Sequence, residues 1–177
     1  MPRLFSAIEI PANIAQRLSM LRYGLTEARW YDPENYHLTL RFIGDVDGPT
    51  ARDFAQGLSE IEMPPFMLHL DGLGSFGGRR PRAIYARIAP SEALEALYHA
   101  NDRAAREAVV RPEGRKYTPH VTLARLRGTS AEDVARYIEG QGFIETEPFA
   151  VERFVLYSSR ASVGGGPYVI EGEFPLA

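Results

Sequence analysis

The chain has 177 residues, 45% hydrophobic and 24% charged, which allows a packed core and excludes disorder as the main state. It has no cysteine, so disulfide scaffolds, thiolate catalysis, Cys-ligated zinc and iron–sulfur clusters are excluded. A net charge of −3 and a pI of about 5.8 count against a strongly basic nucleic-acid binder, though not against an enzyme that touches one phosphate at a chain end.

The segment Arg3 to Ile10 is rich in aromatic and β-branched residues and predicts a strand, which Pro11 ends. Ile14, Leu18, Leu21 and Leu25 recur at helical spacing and predict a helix to about Ala28. After a loop at Asp32-Pro33, Tyr36 to Ile43 predicts a strand and Thr50 to Ile61 a second helix. Phe66 to Phe76 reads as one long strand, bent or bulged at Gly72 and Gly74. Ala83 to Ile88 is a further strand. Ser91 then caps a third helix with Leu94, Leu97, Tyr98, Ala104, Ala105 and Ala108 on its apolar stripe. His120 to Leu126 is a strand, and Thr129 with Glu132 forms a capping box for a fourth helix. Phe149 to Ser158 and Tyr168 to Phe174 are two more strands, joined through Gly164-Gly165-Gly166. No apolar run reaches the roughly 20 residues that span a bilayer, and the N-terminus lacks a signal-peptide layout. A cytoplasmic protein with no membrane partner is the expectation.

The order strand, helix, strand, helix, strand occurs twice, the second time with one strand more. This predicts an old internal duplication opening at Leu4-Phe5 and again at Ile84-Tyr85. Corresponding strands carry His37-Leu38-Thr39-Leu40 and His120-Val121-Thr122-Leu123. Side chains alternate along a strand, so His37, Thr39 and Arg41 share one face, and His120 and Thr122 share another. Two such motifs among four histidines have a chance of roughly one in ten thousand under random ordering. The bland alternative, two satisfied strand histidines, does not account for their matching places in a repeat. His69 and His99 have no Thr two residues on and no repeat counterpart, and they read as structural or surface residues.

Two imidazoles and two hydroxyls suit displacement at phosphorus. One histidine takes a proton from the attacking oxygen and the other gives one to the leaving oxygen, both near neutral pH. The threonines can hold non-bridging oxygens, and an arginine can stabilise the charge that builds there. Arg41 shares the face of His37. Parity puts Arg125 on the face opposite His120 unless the strand bulges. No metal and no cofactor is required.

These motifs, with Arg3-Leu4-Phe5-Ser6-Ala7-Ile8-Glu9-Ile10-Pro11, His37 to Gly44, Pro119 to Arg125 and Phe154 to Ser159, resemble the 2H phosphoesterase superfamily. Within it, the sequence is similar to RNA 2′,3′-cyclic phosphodiesterases, also called 2′-5′ RNA ligase-like proteins. The resemblance implies one two-lobed α+β domain over residues 1–177: a pseudo-twofold duplication with antiparallel sheets lining a central cleft and helices outside. It implies metal-independent hydrolysis of a 2′,3′-cyclic phosphate on an RNA end or nucleotide to a 2′-phosphomonoester. His37 is then the proton donor, His120 the proton acceptor, and Thr39, Thr122 and Arg125 bind the phosphate. A departure lies at Arg160 to Gly166, where similar proteins often carry more basic residues.

Arg79, Arg80 and Arg82 form one basic loop, and Arg111, Arg115 and Lys116 another. Either could contact flanking phosphates or be a solvated turn. Phe5 and Tyr85 hold matching places and could stack on a base, although strand aromatics are more often core. A monomer is expected. Rival readings are a sister activity (2′-5′ linkage cleavage or reversible 2′-5′ ligation), a non-catalytic RNA-end binding module, and a His-ligated metal enzyme, which lacks close ligand spacing.

Overall fold

The computed structural model describes residues 3–108, 110–112, 114–159 and 166–177. The first copy runs β1 (Arg3–Glu9), α1 (Ala12–Ser19), β2 (Ala28–Trp30), a 3-10 turn (Pro33–Asn35), β3 (His37–Gly44), α2 (Gly48–Ser59), β4 (Phe66–Leu68) and β5 (Leu70–Phe76). The second runs β6 (Ala83–Ile88), α3 (Glu92–Glu107), β7 (His120–Leu126), α4 (Ala131–Gln141), β8 (Phe149–Val151), β9 (Arg153–Ser159) and β10 (Tyr168–Pro175). The fold is α+β with antiparallel sheets, as the resemblance implies.

Local chemistry accounts for most boundaries. The side chains of Asp47, Ser91 and Ser130 accept from the backbone N–H groups of Thr50, Leu94 and Asp133 at 2.8, 3.1 and 3.1 Å, capping α2, α3 and α4. The expected Thr129 box is therefore replaced by a cap one residue later. Thr129 is buried, and its hydroxyl donates to the Thr26 carbonyl. Helix α1 is shorter than its periodicity predicts: it ends at Ser19, and three residues near the end of that span form β2 instead. A three-residue strand is too short to show alternation, so only its pairing with β7 reveals it. The single strand expected from Phe66 to Phe76 breaks at His69, because β4 leaves to pair with β8 in a separate two-stranded sheet. The Arg160 to Gly165 part of the departure and its glycine run lies outside the described residues.

The main sheet has the order β10-β9-β1-β3-β7-β6-β5, with β2 also paired to β7. Its centre is a single bonded pair between β3 and β7, Leu38 with Val121. On either side the copies exchange strands: β5, the end of the first copy, pairs with β6, and β9, from the second, pairs with β1. The helices cross in the same way. Helix α3 packs on α2 and β3, while the Tyr137 hydroxyl of α4 donates to the Leu21 carbonyl just after α1. Each lobe is thus built from both copies.

Leu38, Leu40, Val121 and Leu123 are at most 1% exposed and pack with Ile14, Leu18, Phe54, Leu58, Leu94, Leu97 and Val134 of the four helices in one core. The opposite face of the sheet carries a smaller aromatic cluster, with Phe5, Tyr157 and Tyr168.

Exchange of strands between the copies leaves neither half with a complete sheet. Urea unfolding followed by the fluorescence of Trp30 and by far-UV circular dichroism is expected to give coincident transitions. Two separated transitions would show lobes that fold independently.

Candidate active site

The Leu38–Val121 pair fixes the site's geometry. Extending that antiparallel register sets His37 level with Thr122 and Thr39 level with His120. The four side chains share one face, all partly exposed, while the intervening Leu38, Leu40, Val121 and Leu123 are buried on the other. The structure therefore brings both motifs together across a pseudo-twofold.

The two strands carry the same irregularity. On β3, Thr39 lies opposite Ala7 and Arg41 opposite Ser6, so Leu40 is an extra residue in the ladder. On β7, Thr122 lies opposite Tyr85 and Ala124 opposite Ile84, so Leu123 is the extra residue. Each bulge reverses the alternation that follows it. The fourth residue after each histidine turns inward and the fifth turns to the site face. Arg125 therefore joins His120 and Thr122 in lining the cleft, where simple parity put it on the other face.

Arg41 goes the other way. It is 2% exposed and does not share the face of His37. Its Nε donates to Asp102 of α3 at 3.0 Å, and its other nitrogens donate to the carbonyls of Phe42 and Arg111. Arg106 meets the second oxygen of Asp102 at 2.9 Å, and the neighbouring Ser6 hydroxyl donates to Asn101 at 2.6 Å. Arg41 is a buried strut between sheet and helix. Phe42 takes the site-facing place and is 44% exposed, a position that alternation from His37 misassigns.

Each imidazole is held alike. His37 Nδ1 lies 2.9 Å from the Asn35 carbonyl and His120 Nδ1 lies 2.6 Å from the Thr118 carbonyl, each two residues back. A carbonyl can only accept, so both Nδ1 atoms carry the proton and both Nε2 atoms are left for chemistry. Each ring is also flanked by aromatics. Phe5 and Tyr168 stand 5.1 and 4.9 Å from His37, and Phe76 and Tyr85 stand 4.8 and 5.4 Å from His120. Of the two aromatics suggested as stacking residues, Phe5 is 5% exposed and serves as a wall behind His37. Tyr85 is partly buried beneath Phe76, with ring centres 4.3 Å apart. A Cβ on Gly74 would fall 2.6 Å from the Tyr85 ring, so that strand position must be glycine for the ring to lie there.

Burial pushes the His37 pKa down to about 4; the Asn35 carbonyl opposes this, and His120 and Arg125 add to it. His120 is lowered by burial and by Arg125, against the pull of Thr118. Without an anion, both imidazoles are neutral at pH 7. A cavity of about 670 Å³ runs from Thr39, His120, Thr122 and Arg125 towards the loop before β7. Among the described residues, no group of three or more His, Asp or Glu side chains is arranged to hold a metal ion. His69 contributes a carbonyl to Ala89, and His99 is exposed on α3; neither approaches the site.

The model for the LigT-like phosphoesterase family matches the chain twice, over residues 8–85 and 88–168, the first match taking in most of the first copy and the start of β6 and the second most of the second copy. The chain belongs to this family. It is 30% identical over 169 residues to an RNA 2′,3′-cyclic phosphodiesterase of Escherichia coli K12, covering 94% of this chain and 92% of that protein. It is 32% identical over 130 residues to the protein of the same name from Bacillus subtilis 168, covering 70% and 71%. The crystal structure of E. coli LigT complexed with 3′-AMP superposes with a TM-score of 0.80 at 25% identity, covering 99% of both chains.

The two arginines separate in a stability measurement. Arg41→Met leaves a buried carboxylate short of a partner and is expected to cost about 3 kcal/mol in urea unfolding. Arg125→Met, at an exposed position, is expected to cost under about 1 kcal/mol. Equal costs would contradict the bulge-dependent placement.

Proposed function

We propose that this member of the LigT-like phosphoesterase family hydrolyses the 2′,3′-cyclic phosphate of an RNA end or nucleotide to a 2′-phosphomonoester, with no metal ion taking part. The observation that carries this reading is the paired arrangement of His37 and His120, each with Nδ1 tied to a carbonyl and Nε2 left unused, with Arg125 beside them. Several relatives bear the name of this activity.

In the proposed reaction, His120 Nε2 removes a proton from water as the water oxygen bonds to phosphorus. The bond from phosphorus to O3′ breaks on the opposite side, and His37 Nε2 gives its proton to that oxygen. Thr39 and Thr122 donate hydroxyl protons to the non-bridging oxygens. The Arg125 fork stabilises the negative charge gathering on them. Burial makes a protonated His37 a ready donor. His37 takes that proton from solvent as the substrate binds, because the negative charge of the phosphodiester favours an imidazolium between Phe5 and Tyr168. At the matching fifth positions, Phe42 presents an aromatic face and Arg125 a charge. A nucleobase on the first side and the phosphate on the second would use both.

With a 2′,3′-cyclic nucleotide and excess EDTA, the wild-type chain is expected to turn over and release only the 2′-phosphate. His37→Ala and His120→Ala are each expected to lower kcat by about 10²–10⁴-fold. Undiminished turnover in either variant overturns the two-histidine scheme. Turnover that EDTA abolishes overturns metal independence, and a product joined through a 2′-5′ bond points to the ligase activity instead.

The pH profile follows from the lowered pKa values. kcat/KM reports the free protein, which needs one imidazole protonated and one neutral. With His37 at about 4 and His120 also below its usual 6.5, that form becomes more populated as pH falls from neutrality. kcat/KM is expected to peak below pH 6.5, and kcat, measured with the anion bound, at a higher pH. A kcat/KM that rises steadily towards pH 9 would contradict it.

A further inference from the structure

We propose that the cleft continues into a one-sided track for the RNA strand 5′ of the reacting phosphate, built from Arg82, Arg115 and Lys116. The proposal rests on the functional reading above and adds the route of the polymer.

The cavity that holds His120, Thr122 and Arg125 extends past Phe76 to Arg82 and to the loop bearing Arg115 and Lys116. Among the described residues that line it, the charged side chains are all cationic, in a chain whose net charge is −3. Elsewhere, Arg41, Arg106, Arg136 and Arg153 are matched with carboxylates. Arg82, Arg115 and Lys116 form no ion pair among the described residues. Cations left uncompensated along a cleft attract a polyanion, and a single strand pays back their approach by releasing counterions.

The loop is also anchored. Arg41 donates to the Arg111 carbonyl, and the Tyr117 hydroxyl donates to the Thr39 carbonyl at 2.9 Å. The Tyr117 ring lies on Tyr98 with centres 3.9 Å apart and planes within 5°. Arg115 and Lys116 lie within two residues of the Tyr117 anchor, at the edge of the cavity. Phe76, beside His120, adds an aromatic surface of the kind on which bases of single strands stack.

A second hollow, by β2 and the 3-10 turn, adjoins Arg125 through Tyr31, whose hydroxyl accepts from Arg125 Nε at 3.1 Å, and carries Asp32 and Glu34 together with Arg29. A cyclic phosphate terminates its chain, so the polymer continues in one direction only. A cationic track that leaves the site in one direction fits a terminal phosphate.

The test compares binding of a short 5′-labelled oligoribonucleotide ending in a 2′-phosphate with binding of the nucleoside 2′-phosphate alone. The wild-type chain is expected to prefer the oligonucleotide. Arg115→Ala/Lys116→Ala is expected to cut that preference roughly tenfold and to make the slope of log K against log salt shallower by about 1.4. Arg82→Ala is expected to change the slope by about 0.7, and Arg136→Ala, on the far side of α4, to leave preference and slope as they are. An unchanged preference and slope in the Arg115/Lys116 variant overturns the track. Both ligands are end products, so failure of the chain to hydrolyse a cyclic ester would overturn the reaction and leave this result standing.

Discussion

The site depends on one backbone contact. Leu38 of β3 and Val121 of β7 pair where the two copies meet, and each lies between a histidine and a threonine. Their burial holds the two strands in register, because a slip by one residue would carry the leucines to the cleft and the histidines into the core. The same contact that closes the core therefore sets the imidazoles side by side. The exchange of β5 and β9 between copies reinforces it, since each lobe borrows an edge from the other half of the chain.

From that contact outward the symmetry holds, and then breaks at one place. Both strands bulge at the leucine that follows the motif threonine, both histidines bond to a carbonyl two residues back, and both rings are flanked by aromatics. The difference lies at the residues after the bulge. On β3 the inward place is Arg41, which satisfies Asp102 and reaches the loop leading to β7, and the outward place is Phe42. On β7 the inward place is Ala124 and the outward place Arg125. The arginine of one copy is thus buried against Asp102 and the arginine of the other lines the cleft. Two nearly identical motifs acquire unequal surroundings.

Charge follows the same logic. The chain as a whole is mildly acidic, but the charged side chains that line its cleft among the described residues are cations, beside His120. The local field in a low-dielectric cleft depends on such nearby groups far more than on net charge. Burial favours the neutral form of both motif imidazoles.

The paired His-x-Thr-Leu segments, the duplication around them and the helices that cover their leucines were legible from residue pattern alone, because alternation and helical spacing are local properties. The α+β class came with the family resemblance that these segments carry. Local pattern did not reveal the three-residue β2, the split of the strand at His69, or which strand pairs with which, since these are decided by partners distant in the chain. Alternation also misjudged Arg41 and Phe42, because a bulge inserts one residue and reverses every side chain beyond it. A sign existed in the sequence: Leu40-Arg41-Phe42 and Leu123-Ala124-Arg125 align only if the fifth positions are equivalent. The chain by itself determined the paired motifs and their matching places in the duplicated pattern. The resemblance pointed to Arg125 where alternation did not, and the tertiary structure decided that Arg125 stands in the cleft while Arg41 is buried, because that choice depends on the backbone ladder with neighbouring strands and on Asp102 across the core.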